Sequence, residues 1–508
     1  MKNILIVNLD QDGDILLLAS VIEALKKEQA NVSILTLASH SETVKNLTGV
    51  EKTYLLQLEE ILKYKKHRIF SDLEMLRELS QNLEPIRNLE WHEVINISSS
   101  EAAAYLVNCF KTKLIRGLSY TPERTLYSDS DMGIWTTGPT LFSERERQND
   151  LSGRKIENLG TLQGNSNHLV ENAKTFIGIE LTSASQSHHL NLNILSELIQ
   201  KLKLNPKNEV KVIYSAEDHL EKLLYELSDK LQGQLEVIES SKIDLSSLVS
   251  SFHLILTSSA DLKTAAEINQ VKTLALWTNL KILYRQRSGV NSLNLYVSTD
   301  GIAVLKGESL ATIMETQLSG KNGELTRLPK GLEIYQTKED GMMLPLSLAF
   351  NQAVYMKMIM EKALWKETHY QSWIDLKKYL SAIPDKELSQ FIGQEKEALS
   401  VVVKSTLSAI RFLKNHEQGP NQVKELMATL DLLMNKRMDG ATYFLLNMFK
   451  HKMEHLAATS KEDTLIKTEK ALIILKNQLS TLTKILGDMA ETINERRKLP
   501  SSKSTHAF

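Results

Sequence analysis

Short, almost uninterrupted apolar runs, each followed by a helical pattern, constrain this 508-residue chain more than any other feature. Residues 4–7, 94–97 and 176–180 are examples, and the segments after them carry apolar residues at helical spacing. Strands of this kind are buried on both faces, because helices cover both sides of a parallel sheet. The pattern therefore predicts an α/β fold with doubly wound parallel sheets.

The strand–helix pattern occurs twice along the chain and then stops. A polar, turn-rich stretch separates the two series, and helical periodicity alone continues after the second. We therefore predict a Rossmann-like domain over residues 1–165, a second over 166–335 and a helical bundle over 336–498. The polar residues 499–508 are predicted to be a disordered tail. A cleft is expected between the two α/β domains.

Composition excludes several classes of protein. With 61 Lys and Arg against 62 Asp and Glu, no basic field favours nucleic acid as a partner. The single Cys109 cannot form an intrachain disulfide or a zinc cluster, which fits a reducing compartment. The N-terminus does not resemble a signal peptide, and no apolar stretch reaches about 20 residues. We therefore expect a cytoplasmic protein whose contact with a membrane, if any, is peripheral.

The first strand-to-helix turn is the most informative local feature. It lacks both the G-x-G-x-x-G fingerprint of dinucleotide-binding proteins and the phosphate-binding P-loop. Instead Asp10, Asp12 and Asp14 crowd a turn at the carboxyl end of the sheet, where α/β folds bind ligands. Neighbouring carboxylates raise one another's pKa, which suits a general base. On spacing alone, the better interpretation is that Asp12 or Asp14 caps the following helix.

The opening ILIVNLDQDGDILLLASVIEALKK resembles that of the family 9 glycosyltransferases, the ADP-heptose:lipopolysaccharide heptosyltransferases, which have a Gly-Asp turn before their first helix. The segments EVINI and IRGL resemble the family's next strands, and residues 176–179 resemble the strand that opens its nucleotide-binding half. The stretch LILTSSADLKTAAEINQVKTLALW resembles its donor-binding region. The resemblance covers about residues 1–300, and the helical region lies outside it.

This resemblance implies a GT-B-like pair of Rossmann-type domains, with the acceptor on the first domain and the nucleotide-sugar donor on the second. It implies inverting, metal-independent transfer without a cofactor, from a donor that is ADP-linked in the family. The Gly-Asp motif assigns the catalytic base to Asp14, and Asp12 and Gly13 belong to the same acceptor-binding turn. Glycine allows the tight turn that would direct Asp14 into the cleft.

The donor-binding motifs depart from the family pattern. Where the family has Asp-Ser/Thr-Gly-Pro-x-His at a helix start, this chain has SSADLK, so Ser258, Ser259 and Lys263 are the candidates for holding the donor phosphates. Lys263 would supply a positive charge in place of the histidine. The family's Lys-x-Trp loop is also lost, and Thr182 and His188 are the candidates there. Exposed loop histidines are more often bystanders than ligands.

A basic cluster, KYKKHR over residues 63–68, lies in the first domain. The family resemblance implies that this half faces an acidic glycolipid acceptor at the inner membrane surface. Lys65, Lys66 and Arg68 would suit such a surface, where each basic residue contributes about 1 kcal/mol. Arg116, beside Gly117, is a further candidate for binding the acceptor. The competing interpretation of the cluster is a solvated helix face.

Two classes of function remain open at this point, and a further nucleotide-dependent transferase of GT-B shape would differ from the first mainly in its donor. The first is a glycosyltransferase that moves a sugar, heptose being the family's, to lipopolysaccharide or another cell-envelope glycan. The second is a catalytically inactive scaffold that binds a protein partner, or a second copy of itself, through the helical domain. The retained Asp14 favours the first function, and the loss of both donor motifs favours the second. The sequence does not decide between them.

Overall fold

The computed structural model describes residues 2–9, 15–64, 71–98, 100–121, 126–128, 152–154, 174–181, 190–214, 218–240, 243, 245–280, 283, 292–321, 325, 327–338, 342–370, 374–413, 423–428, 431–432, 440–454 and 461–498. The chain divides into two compact units. Unit 1 comprises Met1–Ser119 and Phe142–Phe350, and unit 2 comprises Tyr120–Leu141 and Asn351–Phe508. The predicted disordered tail and most of the polar connection lie outside the described residues.

The first sheet of unit 1 is a doubly wound parallel sheet. Its elements, with their helices, are β1 (Lys2–Asn8), α1 (Leu18–Lys27), β2 (Ala30–Leu37), α2 (Ser41–Lys45), β3 (Val50–Leu56), α3 (Leu58–Tyr64), α4 (Ser71–Arg87), β4 (Glu90–Trp91), β5 (Glu93–Asn96), α5 (Glu101–Val107), β6 (Lys111–Thr112) and β7 (Ile115–Tyr120). Parallel neighbours follow the order β3-β2-β1-β5-β7, and β4 pairs separately with β6.

The central strand β1 explains why helices cover both faces of this sheet. Ile4 and Ile6 belong to a core cluster with the buried residues of α1, whereas Leu5 and Val7 belong to a second cluster with residues of α4 and α5. All four side chains are fully buried. The continuous apolar run therefore serves two cores at once, as a doubly wound sheet requires.

The second sheet of unit 1 contains more strands than the sequence predicts. A short strand, β8 (Leu126–Ser128), precedes this sheet in the chain and is not part of it. The elements of the sheet, with their helices, are β9 (Thr175–Leu181), α6 (Leu192–Lys203), β10 (Asn208–Tyr214), α7 (Asp218–Lys230), β11 (Glu236–Glu239), α8 (Leu245–Ser250), β12 (Leu254–Thr257), α9 (Ala260–Ile268), β13 (Lys272–Trp277), β14 (Ser292–Val297), α10 (Thr299–Ile302), α11 (Gly307–Ser319), β15 (Leu332–Thr337) and β16 (Met343–Pro345). The order is β11-β10-β9-β12-β13-β14-β15-β16.

The second sheet extends beyond residue 335, the predicted end of the second α/β domain, because two further strands join it. Strand β15 runs antiparallel to β14, and β16 runs antiparallel to β15, so the sheet continues to Pro345. The predicted boundary at 335/336 falls inside β15. These strands are short and carry polar residues among apolar ones, a pattern that gives only a weak strand signal.

The two sheets share a pair of histidine–backbone hydrogen bonds near the amino ends of their central strands. The backbone N–H of Asn3 donates to His92 Nδ1 at 3.0 Å, and the N–H of His92 donates to the carbonyl of Asn3 at 2.9 Å. Phe176 and His253 repeat both bonds at 3.0 and 2.9 Å. Each histidine directly precedes the strand that pairs with β1 or β9. Because the two pairs of hydrogen bonds are the same, Asn3 in β1 and Phe176 in β9 occupy equivalent positions in their sheets. Four residues later in each strand, Val7 and Glu180 are therefore equivalent as well.

The described residues of unit 2 from 351 onward are helical, as predicted for the C-terminal region. Its helices are α12 (Gln352–Tyr370), α13 (Leu376–Leu380), α14 (Asp385–Leu413), α15 (Ala441–Glu454) and α16 (Lys461–Lys498), and residues 423–428 are also helical. The longest helix, α16, packs against α12, α13, α14 and α15. Among the helices that the structure describes, none combines the length and apolar character needed to cross a membrane.

Candidate functional site

The predicted acceptor-side turn is described only at its flanks. Asp12, Gly13, Asp14, Lys65, Lys66 and Arg68 lie outside the described residues. Before the turn, the N–H of Leu9 donates to Ser98 Oγ at 2.7 Å, which attaches the end of β1 to the end of β5. After the turn, Leu16 is fully buried in a core cluster with Leu248, Phe252 and other residues of the second α/β half. Leu9, before the turn, is therefore bonded to the first α/β half, and Leu16, after it, packs with the second.

The predicted donor loop connects β12 to α9 and lies at the carboxyl edge of the second sheet. Ser259 is the N-cap of α9, and its Oγ accepts a hydrogen bond from the N–H of Leu262 at 3.2 Å. The adjacent Ser258 hydroxyl is buried and has no hydrogen-bond partner in the part of the chain that the structure describes. Parallel sheets bind ligands at this edge, and a helix start offers N–H groups to an anion.

A glutamate that the sequence analysis missed lies at the centre of this loop. Glu180, near the carboxyl end of β9, is only 6% exposed. Its Oε2 accepts hydrogen bonds from the N–H groups of Ser258 and Ser259, both at 3.2 Å, and from the Thr257 hydroxyl. The available signal was a single charged residue within the otherwise apolar strand TFIGIEL.

Burial sets the protonation behaviour of Glu180. Loss of solvent is the largest cause that raises its pKa, and the negative charge of Asp261, in the first turn of α9, adds to the rise. The hydrogen bonds from Thr257, Ser259 and Ser258 lower the pKa, and the net result is a pKa of about 7. Glu180 therefore changes its charge in the neutral range while it occupies the N–H groups at the start of a helix.

Lys263 does not face solvent in this structure. The side chain is 1% exposed, and its Nζ lies 3.1 Å from Glu267 Oε1, one helical turn away in α9. Neither atom has a hydrogen-bond partner among the described residues, so the contact is an ion pair. Nζ also lies 5.9 Å from the ring centroid of Trp277. The positive charge predicted to hold donor phosphates is thus neutralised within α9.

The remaining predicted residues lie apart from this loop or outside the description. Thr182 and His188 are outside the described residues. Arg116 lies at the amino end of β7, at the sheet edge opposite to the carboxyl end of β1, and its Nε donates to Glu93 at 2.7 Å. Burial raises the pKa of Glu93, but hydrogen bonds and charges from Arg154 and Arg116 outweigh it and hold the pKa below its usual value.

No protein-family profile matches the chain, and no curated protein matches it. The chain is similar to solved structures of glycosyltransferases. One is the glycosyl transferase family 9 protein from Veillonella parvula DSM 2008, with a TM-score of 0.48 and 14% identity over 63% of this chain and 97% of that chain. Another is E. coli heptosyltransferase WaaC with ADP, with a TM-score of 0.47 and 13% identity over 62% of this chain and 99% of that chain. E. coli ADP-heptose lps heptosyltransferase II has a TM-score of 0.42 and 13% identity, over 63% and 99%.

Proposed function

We propose that the chain is a glycosyltransferase that moves a sugar, heptose being the one that the family resemblance suggests, from a nucleotide-sugar donor to lipopolysaccharide or another cell-envelope glycan. The observation that supports it most is the start of α9, where two backbone N–H groups and the Thr257 hydroxyl converge on one carboxylate oxygen. Donors arranged in this way suit a phosphate oxygen equally well. They lie at the sheet edge where α/β folds bind nucleotides.

The proposed chemistry is a single inverting displacement without a metal. Asp14 accepts the proton of the acceptor hydroxyl as its oxygen bonds to the anomeric carbon. The bond from that carbon to the donor phosphate breaks on the opposite face, and the nucleoside diphosphate leaves with the electron pair. The N–H groups of Ser258 and Ser259 stabilise the negative charge that develops on the leaving group. Asp12 and Gly13 shape the turn that presents Asp14.

The acceptor is proposed to be a glycolipid at the inner face of a membrane, which makes the protein cytoplasmic and peripheral. Leu62 in α3 and Leu73 and Leu76 in α4 are 44%, 66% and 59% exposed, and these two helices pack against each other. The basic residues Lys65, Lys66 and Arg68 lie between them in the sequence. Exposed leucines next to basic residues suit an anionic lipid surface. Arg116 remains a proposed acceptor-binding residue.

The replacement Asp14→Asn tests this function. With the nucleotide sugar that stabilises the protein and a lipid-linked core glycan, we expect the rate of nucleotide release to fall by about 10²–10⁴-fold, because the general base is lost. Glu395→Gln, a change in unit 2, is the control and should keep the rate of the unmodified protein. If Asp14→Asn retains full activity, Asp14 is not the base.

A second candidate function is the inactive scaffold, and a specific observation favours it. The N–H groups of Ser258 and Ser259 at the start of α9 already donate hydrogen bonds to Glu180, and Lys263 is paired with Glu267. If ADP-, UDP-, GDP- and CMP-sugars all leave the melting temperature unchanged, including that of Glu180→Gln, the scaffold becomes the better explanation. Sedimentation of the full chain would then show whether it associates with itself.

A further inference from the structure

The carboxylate of Glu180 is an anion built into the loop that the proposed function assigns to the donor phosphates. The three hydrogen bonds that it accepts from described residues meet a single oxygen, Oε2. A phosphate oxygen that bound the N–H groups of Ser258 and Ser259 would need the same position. An ionised carboxylate and a phosphate cannot share these donors.

The surroundings of Glu180 add to this conflict. Asp261 contributes a second negative charge from the first turn of α9. Lys263 offers no free positive charge there, because Glu267 on the same helix balances it. Among the described residues of β10 and β11, the titratable groups at this edge are Tyr214, whose hydroxyl donates to Glu239 at 3.4 Å, and Glu239 itself. None of these described groups compensates an additional dianion.

One polar group in the loop, the Ser258 hydroxyl, is available to bind a ligand. The Ser258 hydroxyl is buried and finds no hydrogen-bond partner among the described residues. A buried hydroxyl without a partner is unfavourable, and a bound oxyanion would satisfy it. The loop therefore combines two N–H groups held by Glu180 with one hydroxyl that nothing in the described structure uses.

We propose that Glu180 keeps this anion site closed while it is ionised, and that a phosphate group binds the start of α9 only when Glu180 is neutralised or displaced. Glu180 is then the residue that determines whether this edge accepts an anionic ligand. The inference rests on the proposed function, since both concern the same loop, but it makes a separate claim about one side chain. Protonation of Glu180 removes a charge and leaves the N–H groups able to bind a stronger acceptor.

Sulfate is a suitable probe because it remains a dianion throughout the neutral range. The unmodified full-length protein should bind sulfate about tenfold more tightly at about pH 6 than at about pH 8, since the protonated fraction of a group with a pKa of about 7 changes by that factor. Calorimetric titration gives both dissociation constants. Because this arm needs no variant, it remains decisive even if a substitution prevents folding.

The replacement Glu180→Gln mimics the neutral form and should bind sulfate about tenfold more tightly than the unmodified protein at about pH 8. It should also lose the dependence on pH. Glu395→Gln is the matched control, because Glu395 is a second buried glutamate that accepts two N–H groups and a threonine hydroxyl at a helix start, and it should behave as the unmodified protein. Asp261→Asn should keep the dependence on pH, which excludes Asp261 as its source.

Equal affinity of Glu180→Gln and the unmodified protein at about pH 8 would overturn the inference. So would the absence of sulfate binding in both proteins at both pH values. Nucleotide sugars distinguish this failure from that of the proposed function. Tighter sulfate binding by Glu180→Gln without any nucleotide binding would support the inference and refute the function. Tight nucleotide-sugar binding that is the same in Glu180→Gln and in the unmodified protein would support the proposed function and refute the inference.

Discussion

Two buried glutamates, Glu180 in unit 1 and Glu395 in unit 2, each accept two backbone N–H groups and a threonine hydroxyl at the start of a helix. Burial raises the pKa of both. They differ in how the donors are shared. Glu395 uses both oxygens: Ala441 donates to Oε1 at 3.1 Å, and Thr442 donates twice to Oε2, at 3.1 and 2.8 Å. The hydrogen bonds to Glu180 from described residues all meet Oε2.

The space around the two carboxylates differs as well. A Cβ on Gly440 would lie 1.5 Å from Glu395 Oε1, so only glycine fits beside that carboxylate, and its φ of +153° also favours glycine. The loop at Glu180 instead contains the buried Ser258 hydroxyl without a described partner. The same capping chemistry thus serves a closed structural contact in unit 2 and an incompletely satisfied loop at a sheet edge in unit 1.

A third buried carboxylate, Glu267, extends the comparison and gives the largest expected effect. It is balanced by Lys263 rather than by N–H groups. Lys263→Met should lower the free energy of unfolding by about 3–5 kcal/mol, because a buried charge loses its partner. Adding Glu267→Gln should restore most of that loss. Urea unfolding measures both, and an unchanged stability of Lys263→Met would show that the pair is solvated.

Glu395→Ala should produce the next largest effect. Two N–H groups and the Thr442 hydroxyl would lose their acceptor in a buried site, which should cost about 3 kcal/mol. Glu395→Gln keeps an oxygen acceptor and should cost about 1 kcal/mol. Equal losses in the two variants, measured by urea unfolding, would contradict the structural role assigned to these hydrogen bonds.

The stability contributed by Glu180 should depend on pH. Its pKa is about 7 in the folded protein and 4.5 in the reference state, so the folded state binds the proton more tightly. Stability should therefore fall as the pH rises from about 4.5 to about 7, by about 3 kcal/mol in total, and stay level above that. Urea unfolding across this range should show that Glu180→Gln removes this component. A slope that survives in the variant would locate its source elsewhere.

The smallest expected effect concerns the amino edges, where the two sheets are alike. His92→Phe and His253→Phe each remove the Nδ1 acceptor of a strand N–H group, and each should lower stability by about 1 kcal/mol. Matching losses in thermal unfolding would support a shared structural device. A much larger loss for His253, whose ring stacks on Phe176 at 5.9 Å, would show that stacking dominates there.

The apolar strands of both sheets could be predicted from the sequence, because each side chain in β1 or β9 must satisfy a core on its own face. The family resemblance predicted that Ser258 and Ser259 lie at a helix start, and the structure confirms this position. Strands β14 to β16 and helix α11 escaped the prediction. Their packing depends on partners distant in the sequence, which a local pattern does not reveal.

The chemistry of the candidate site was less predictable. Val7 and Glu180 occupy equivalent positions in the two sheets, yet one completes an apolar core and the other binds a loop 78 residues away. The local sequence around Glu180 does not predict its contact with this distant loop. Lys263 was predicted to be a phosphate ligand because it stands where the family motif has a histidine. Which face of a nine-residue helix is packed inward depends on tertiary contacts, and here Lys263 is turned inward.

The central claim is that the start of α9 binds the phosphates of a nucleotide sugar and that Glu180 controls access to it. The most direct test is the melting temperature of the full chain and of Glu180→Gln at about pH 8 with ADP-, UDP-, GDP- and CMP-sugars. A ligand at 100 times its dissociation constant should stabilise the protein by about 2.7 kcal/mol. We predict a shift with one nucleotide class that is larger in Glu180→Gln than in the unmodified protein. No shift with any nucleotide sugar in either protein would contradict the account.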